Sequence, residues 1–217
     1  MSDLFKTRAV LLFLLLSVNS VAINSQNVYQ PVDTLRLNTS FRKLERNPSD
    51  AHLQRAFFDA FPRTWAEYIC TYQYYGEESD LTMYSLADKH VQTFGKLNAV
   101  ADTAYYSRLV DLCVGARIDA DAPNYLQSLV EEKLISNTKE IMSYLMTLRK
   151  GHRMQFWQFV FSSIHDTELA RSRFEKIRER VKENSPEELE LVDTAYRYFH
   201  NGVNFLDVLY LKDPGDE

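Results

Sequence analysis

Apolar residues recur along this chain every three or four positions, in short runs separated by capping and stop residues, and that spacing predicts helices nearly throughout. Leu37, Phe41 and Leu44 mark the first, and Asn47-Pro48 ends it because a residue before proline is pushed out of the α region. Ser49 is placed to cap a second, with Leu53, Phe57, Phe58 and Phe61 on one face and Pro62 closing it. Thr64-Trp65-Ala66-Glu67 has the form of a capping box, in which the threonine oxygen and the glutamate carboxylate each satisfy a free backbone N–H at a helix start. The helix it opens carries Trp65, Tyr68, Ile69 and Tyr72 on one face and is expected to run to Gly76, a residue suited to a left-handed stop. Met83, Leu86, His90, Phe94 and Leu97 trace a fourth helix. Asp102 is expected to cap a fifth, on which Tyr105, Tyr106, Leu109, Val110 and Cys113 lie toward one side before Gly115.

The second half continues the pattern. Asp121 with Ala122-Pro123 is a start signal, since proline is tolerated in a first turn, and Leu126, Leu129, Val130 and Leu134 follow. Asn137 opens the next helix, with Ile141, Leu145 and Leu148 inward and Lys150-Gly151 as its expected stop. Met154 to Ile164 is apolar on more than one face, the mark of a central helix, whereas the charge-rich stretch 166–184 keeps only Phe174, Ile177 and Val181 apolar and belongs on the surface. Ser185-Pro186-Glu187-Glu188 reads as a second capping box, followed by Leu189, Val192, Tyr196 and Phe199. No run alternates as a strand would. The fold class is therefore all-α, a single irregular helical bundle or short helix-pair stack of about nine helices.

The first 33 residues follow another pattern. Lys6 and Arg8 precede an unbroken apolar run from Ala9 to Leu16, and small residues end at Ser20-Val21-Ala22, as a signal peptidase requires. The run is well short of the roughly 20 apolar residues that span a bilayer. Residues 1–22 are expected to be a cleaved signal peptide, 23–33 a flexible leader, 34–212 the all-α domain and 213–217 an acidic tail, which places the product in the periplasm or outside the cell without a stable membrane anchor.

Composition sharpens this picture in two respects. Six glycines and six prolines are too few for a turn-rich fold, in keeping with helices. The net charge of −5 argues against nucleic acid and favours a basic protein partner. Cys70 and Cys113 are the one pair of cysteines in a chain expected to reach an oxidising compartment, and both bridging and separate burial remain open for them. The five histidines are scattered, and neither a metal motif, a Gly-x-Ser-x-Gly elbow nor a Gly-rich phosphate loop occurs, so no cofactor and no enzymatic activity are expected. Glu67, between Trp65 and Tyr68, has the apolar setting a glycan-cleaving acid needs, but its position in the capping box assigns it to the backbone. Asp119 and Asp121 flank Ala120 at a helix start, where Asp121 is suited to capping and Asp119 is the freer carboxylate. Tyr72, Tyr74, Tyr75, Glu77, Glu78 and Asp80 join aromatic surface to negative charge around one turn, with Tyr84 just beyond. Together with Asp119 they are the candidate partner-binding residues.

The run Phe57-Phe58-Asp59-Ala60-Phe61-Pro62-Arg63-Thr64-Trp65-Ala66-Glu67-Tyr68, then Tyr72-Gln73-Tyr74, Asp119-Ala120-Asp121-Ala122 and Phe156-Trp157-Gln158-Phe159, resembles a group of small uncharacterised all-α exported bacterial proteins. Some of these resemble immunity proteins of secreted-toxin systems. The likeness covers about residues 50–165, and Ile118 stands where that pattern carries a tryptophan. The resemblance implies binding without catalysis, in the compartment where an envelope-directed toxin acts. The rival expectations are a cell-envelope hydrolase acting on glycan or peptide, and a structural helical module of an envelope assembly.

Overall fold

Ten α-helices make up most of the residues that the computed structural model describes, which are 32–73, 83–118, 121–162 and 168–200, and no strand occurs among them. In chain order they are α1 (Thr34–Arg46), α2 (Ala51–Ala60), α3 (Trp65–Tyr72), α4 (Ala87–Gly95), α5 (Asp102–Cys113), α6 (Asp121–Ser136), α7 (Thr138–Leu145), α8 (Lys150–Phe161), α9 (Glu168–Asn184) and α10 (Leu189–His200). Short 3-10 turns, Tyr84–Leu86 and Pro186–Glu188, lead into α4 and α10. The expected signal peptide and acidic tail lie outside the described residues, as does all of the leader except Val32 and Asp33.

The periodic positions face inward as expected. Leu37, Phe41 and Leu44 of α1 are buried, as are Phe57 and Phe58 of α2 and Phe61 just after it. So are Tyr105, Tyr106, Leu109, Val110 and Cys113 of α5. Several helix ends differ from expectation, each for a local reason. Asp33, the last residue of the supposed leader, caps α1 by accepting from Arg36 N at 2.9 Å. Asp50, not Ser49, caps α2, its Oδ1 accepting from both His52 N and Leu53 N at 2.8 and 3.0 Å, because a carboxylate there reaches two free donors at once. Asp102 is the first residue of α5 and caps nothing; Ala101 holds the cap position without a side-chain bond. Helix α3 ends at Tyr72, where Gln73 turns extended, four positions before Gly76. Lys150-Gly151 does not stop α7, which closes at Leu145, but instead opens α8 after an extended Arg149. Glycine permits a stop without compelling one. At Gly115 the permission is used, since its φ of +76° is the left-handed conformation that ends α5.

Two layers of packing meet around α8. Met154, Phe156, Trp157, Phe159, Val160 and Phe161 are all buried, and α10, α5, α6 and α9 cover its different sides. The second capping box does not form. Ser185 makes no side-chain cap, and Glu188, 1% exposed, turns inward so that its Oε1 accepts from Trp157 Nε1 at 2.9 Å. Arg153 Nε lies 3.3 Å from the other carboxylate oxygen, at ion-pair distance but without hydrogen-bond alignment. A buried indole N–H and a guanidinium 31 and 35 positions earlier in the chain outbid the local backbone for this carboxylate. Gln127 does a related task for the far end of α8, its amide donating to the Phe159 and Ser162 carbonyls at 2.8 and 2.6 Å while its oxygen accepts from Arg173. Those carbonyls are among the unpaired acceptors every helix leaves at its C-terminus.

The other layer is aromatic. Phe61 stacks on Phe94 with centroids 4.5 Å apart, and Phe94 on Tyr105 at 5.0 Å, which ties α2, α4 and α5 together. His90 is fully buried in this layer, edge-on to Phe41 at 4.5 Å and to Phe57 at 5.9 Å. Its Nδ1 is 3.0 Å from the Tyr72 hydroxyl, and its Nε2 has no hydrogen-bond partner among the described residues. Burial, with the nearby Arg42 charge, pulls the imidazole down to about 4, because an imidazolium would present two N–H groups where only one can be satisfied. Arg108 finishes α2 from outside, donating to the Phe58, Phe61 and Pro62 carbonyls at 3.3 to 3.4 Å with its guanidinium 4.6 Å over the Phe58 ring.

Candidate functional site: an acidic corner and a separate cleft

The first turn of α6 is held by two tyrosines from far back in the chain. Tyr68 of α3 donates its hydroxyl to the Ala122 carbonyl at 2.7 Å, and Tyr84 donates to Asp121 Oδ2 at 2.8 Å. Met83 N in turn donates to the Thr71 carbonyl at 2.8 Å. Met83 thus lies beside Thr71 near the end of α3, and Tyr84 is bonded to the start of α6. Gln73, Met83 and Asp121, the described residues that border 74–82 and 119–120 in the sequence, therefore lie at one corner of the body.

This bears directly on the candidate partner-binding residues. Tyr72 is withdrawn from that set: it is 0% exposed, and its hydroxyl is committed to His90. Its place on the inward face of α3, beside Tyr68 and Thr71, follows from the helical period. Tyr74, Tyr75, Glu77, Glu78, Asp80 and Asp119 lie outside the described residues. Asp121 is exposed and is the first residue of α6, where a carboxylate complements the positive end of the helix dipole.

The remaining candidates resolve individually. Cys70 and Cys113 are not bonded to each other. Cys113 is fully buried, its Sγ donating to the Leu109 carbonyl at 3.2 Å, and Cys70 is half-buried. Burial pushes both thiols up, which opposes the thiolate a nucleophile requires. Glu67 works on the backbone: Thr64 Oγ1 accepts from Glu67 N at 3.3 Å, while Glu67 Oε2 accepts from Arg63 N at 2.6 Å. The box is formed, with the carboxylate shifted one residue further back than the motif prescribes. Among the described residues no group of three His, Cys, Asp or Glu side chains could hold a metal ion, and no helix is long and apolar enough to cross a membrane.

One feature escaped the sequence. A cleft of about 310 Å³ opens between α5 and α7, lined by Asp102, Tyr106, Lys139, Glu140, Ser143 and Tyr144 among others. Its signal was present only in halves: Asp102 and Tyr106 are spaced i, i+4 on α5, as are Lys139 and Ser143 on α7. Nothing local says that these two faces meet. Asp111 sits behind the cleft, accepting from the Tyr144 hydroxyl at 3.0 Å, and burial pushes its carboxyl above the usual range even though Tyr144 and Arg108 act against the shift.

No family model matches this chain. No curated protein and no solved structure gives a significant match either.

Proposed function

We propose that this chain is an exported, non-enzymatic binding protein of the immunity type, which captures a basic toxin in the periplasm through the acidic corner. The observation that carries the reading is the Tyr84 to Asp121 hydrogen bond, reinforced by Met83 to Thr71. These bonds hold Met83 and Tyr84, which follow Tyr74, Tyr75, Glu77, Glu78 and Asp80 in the sequence, at the start of α6, two positions after Asp119. Tyrosine contributes large contact area at little entropic cost, and clustered carboxylates speed the capture of a cationic partner. The apolar run before Ala22 and the negative net charge support export and a basic partner respectively.

The test uses the tagged chain purified from the periplasm of cells that export it, and a second protein carrying Glu77→Lys, Glu78→Lys and Asp80→Lys. The unaltered chain is expected to retain a basic protein, identified by mass spectrometry, and the altered one to release it by at least about tenfold in affinity, given the salt-sensitive energies of close interfacial charge pairs. Retention of the same proteins by both, or hydrolysis of cell-wall fragments by the purified chain, counts against the proposal.

A further inference from the structure

The cleft between α5 and α7 lies on different helices from the acidic corner and has its own chemistry. Its floor is Tyr106, 7% exposed and packed edge-on against Tyr105 with centroids 5.0 Å apart. Tyr105 continues the stack through Phe94 to Phe61, so the floor is fixed to the aromatic core. Tyr144 forms a wall, oriented by its bond to Asp111. No hydrogen bond joins the Tyr106 hydroxyl to another described residue, and the ring lines the cleft although the residue is only 7% exposed. A phenol at a cleft surface can both donate to and accept from a bound molecule.

Charge decides what kind of partner. Asp102 and Glu140 line the cleft from opposite helices, and neither enters an ion pair among the described residues. Both carboxylates bear on the Tyr106 hydroxyl, which burial, then Glu140, then Asp102 push up to about 12. Among the described residues, Lys139 is the one cationic side chain in the lining. The first turns of α5 and α7 contribute to the cleft, and helix starts attract anions, but each of those turns already carries its own carboxylate, Asp102 in one and Glu140 in the other. What remains is a concave, tyrosine-walled site with an excess of negative charge. An ammonium group is attracted both by the carboxylates and by the faces of the rings.

We propose that this cleft binds a small organic ammonium compound, its cationic nitrogen held between the Asp102 and Glu140 carboxylates and its apolar body against the Tyr106 and Tyr144 rings. The Tyr106 oxygen accepts one ammonium proton, and Ser143 offers a further hydroxyl at the rim. The volume is at the lower end of small-molecule sites, which are about 300 to 1,000 Å³, and it limits the ligand to roughly one ring or a short alkyl body. This inference does not depend on the partner surface described above.

Phenethylamine is a suitable probe, with phenylpropionate and phenethyl alcohol as its anionic and neutral counterparts, titrated calorimetrically into the full chain at low salt. Saturable binding of the amine is expected, with the alcohol weaker by about tenfold and the acid not bound. The paired change Asp102→Asn and Glu140→Gln is expected to weaken the amine by about tenfold or more while leaving the far-ultraviolet circular dichroism unchanged. Ser143 is exposed, so Ser143→Trp tests occupancy separately: it fills the cleft, leaves every charge in place and is expected to abolish amine binding. Equal binding of amine and acid, amine affinity unaltered in either variant, or no saturable binding of the amine overturns the proposal.

Discussion

Glu188→Ala is expected to lower the free energy of unfolding by about 2–5 kcal/mol, the cost of leaving a buried donor unsatisfied, about 1–3 kcal/mol, together with the void that the lost side chain leaves. The alanine leaves the Trp157 indole N–H without its acceptor and opens a void beside that buried ring, while the partly exposed Arg153 loses its counter-charge. That is a large fraction of the roughly 5–15 kcal/mol that holds an ordinary domain together. Glu188→Gln provides the contrast. Its amide oxygen still accepts from Trp157 Nε1, only the charge opposite Arg153 is lost, and a cost below about 1.5 kcal/mol is expected. Urea unfolding followed by tryptophan fluorescence separates the two variants. Equal midpoints would mean that the carboxylate does no more than fill space.

Acid should act on this protein through His90. Its imidazole is neutral in the fold down to about pH 4 but takes up a proton near 6.5 in the unfolded chain. Between those values the unfolded state binds more protons, so stability falls as pH falls through the window and levels off below it. The charges bearing on His90 do not offset this, since Arg42 repels the proton further. The interval corresponds to about 3 kcal/mol. The measurement is unfolding free energy against pH from 7.5 to about 3.5, for the natural protein and for His90→Phe, whose ring suits a pocket already formed by Phe41, Phe57 and Tyr72. The difference between the two curves should grow toward acid, whatever the shared carboxylates contribute. Parallel curves would remove His90 from the account.

How much of this was legible beforehand depends on whether the deciding partner is near in sequence. Helical period alone placed Leu37, Phe41 and Leu44, the α5 row from Tyr105 to Cys113, and the burial of α8 on more than one face, because a packed helix must hide its apolar face whatever it packs on. Caps were legible where the competition was local, as at Thr64, and misassigned where a neighbour was better placed, as with Asp50 over Ser49. Glu188 matched a capping motif, yet its carboxylate was taken by Trp157 and Arg153, which no local pattern brings into view. The cleft failed to show for the same reason. Asp102 and Glu140 are both ordinary first-turn acids until two helices are laid side by side.

The enclosure of α8 by four other helices has a consequence for deuterium labelling. Six of its residues from Met154 to Phe161 are buried against those helices, so the amides there are expected to exchange chiefly when the surrounding helices open. Isotope uptake at the buried positions of 154–161 is therefore expected to approach the global unfolding free energy in plain buffer, without denaturant.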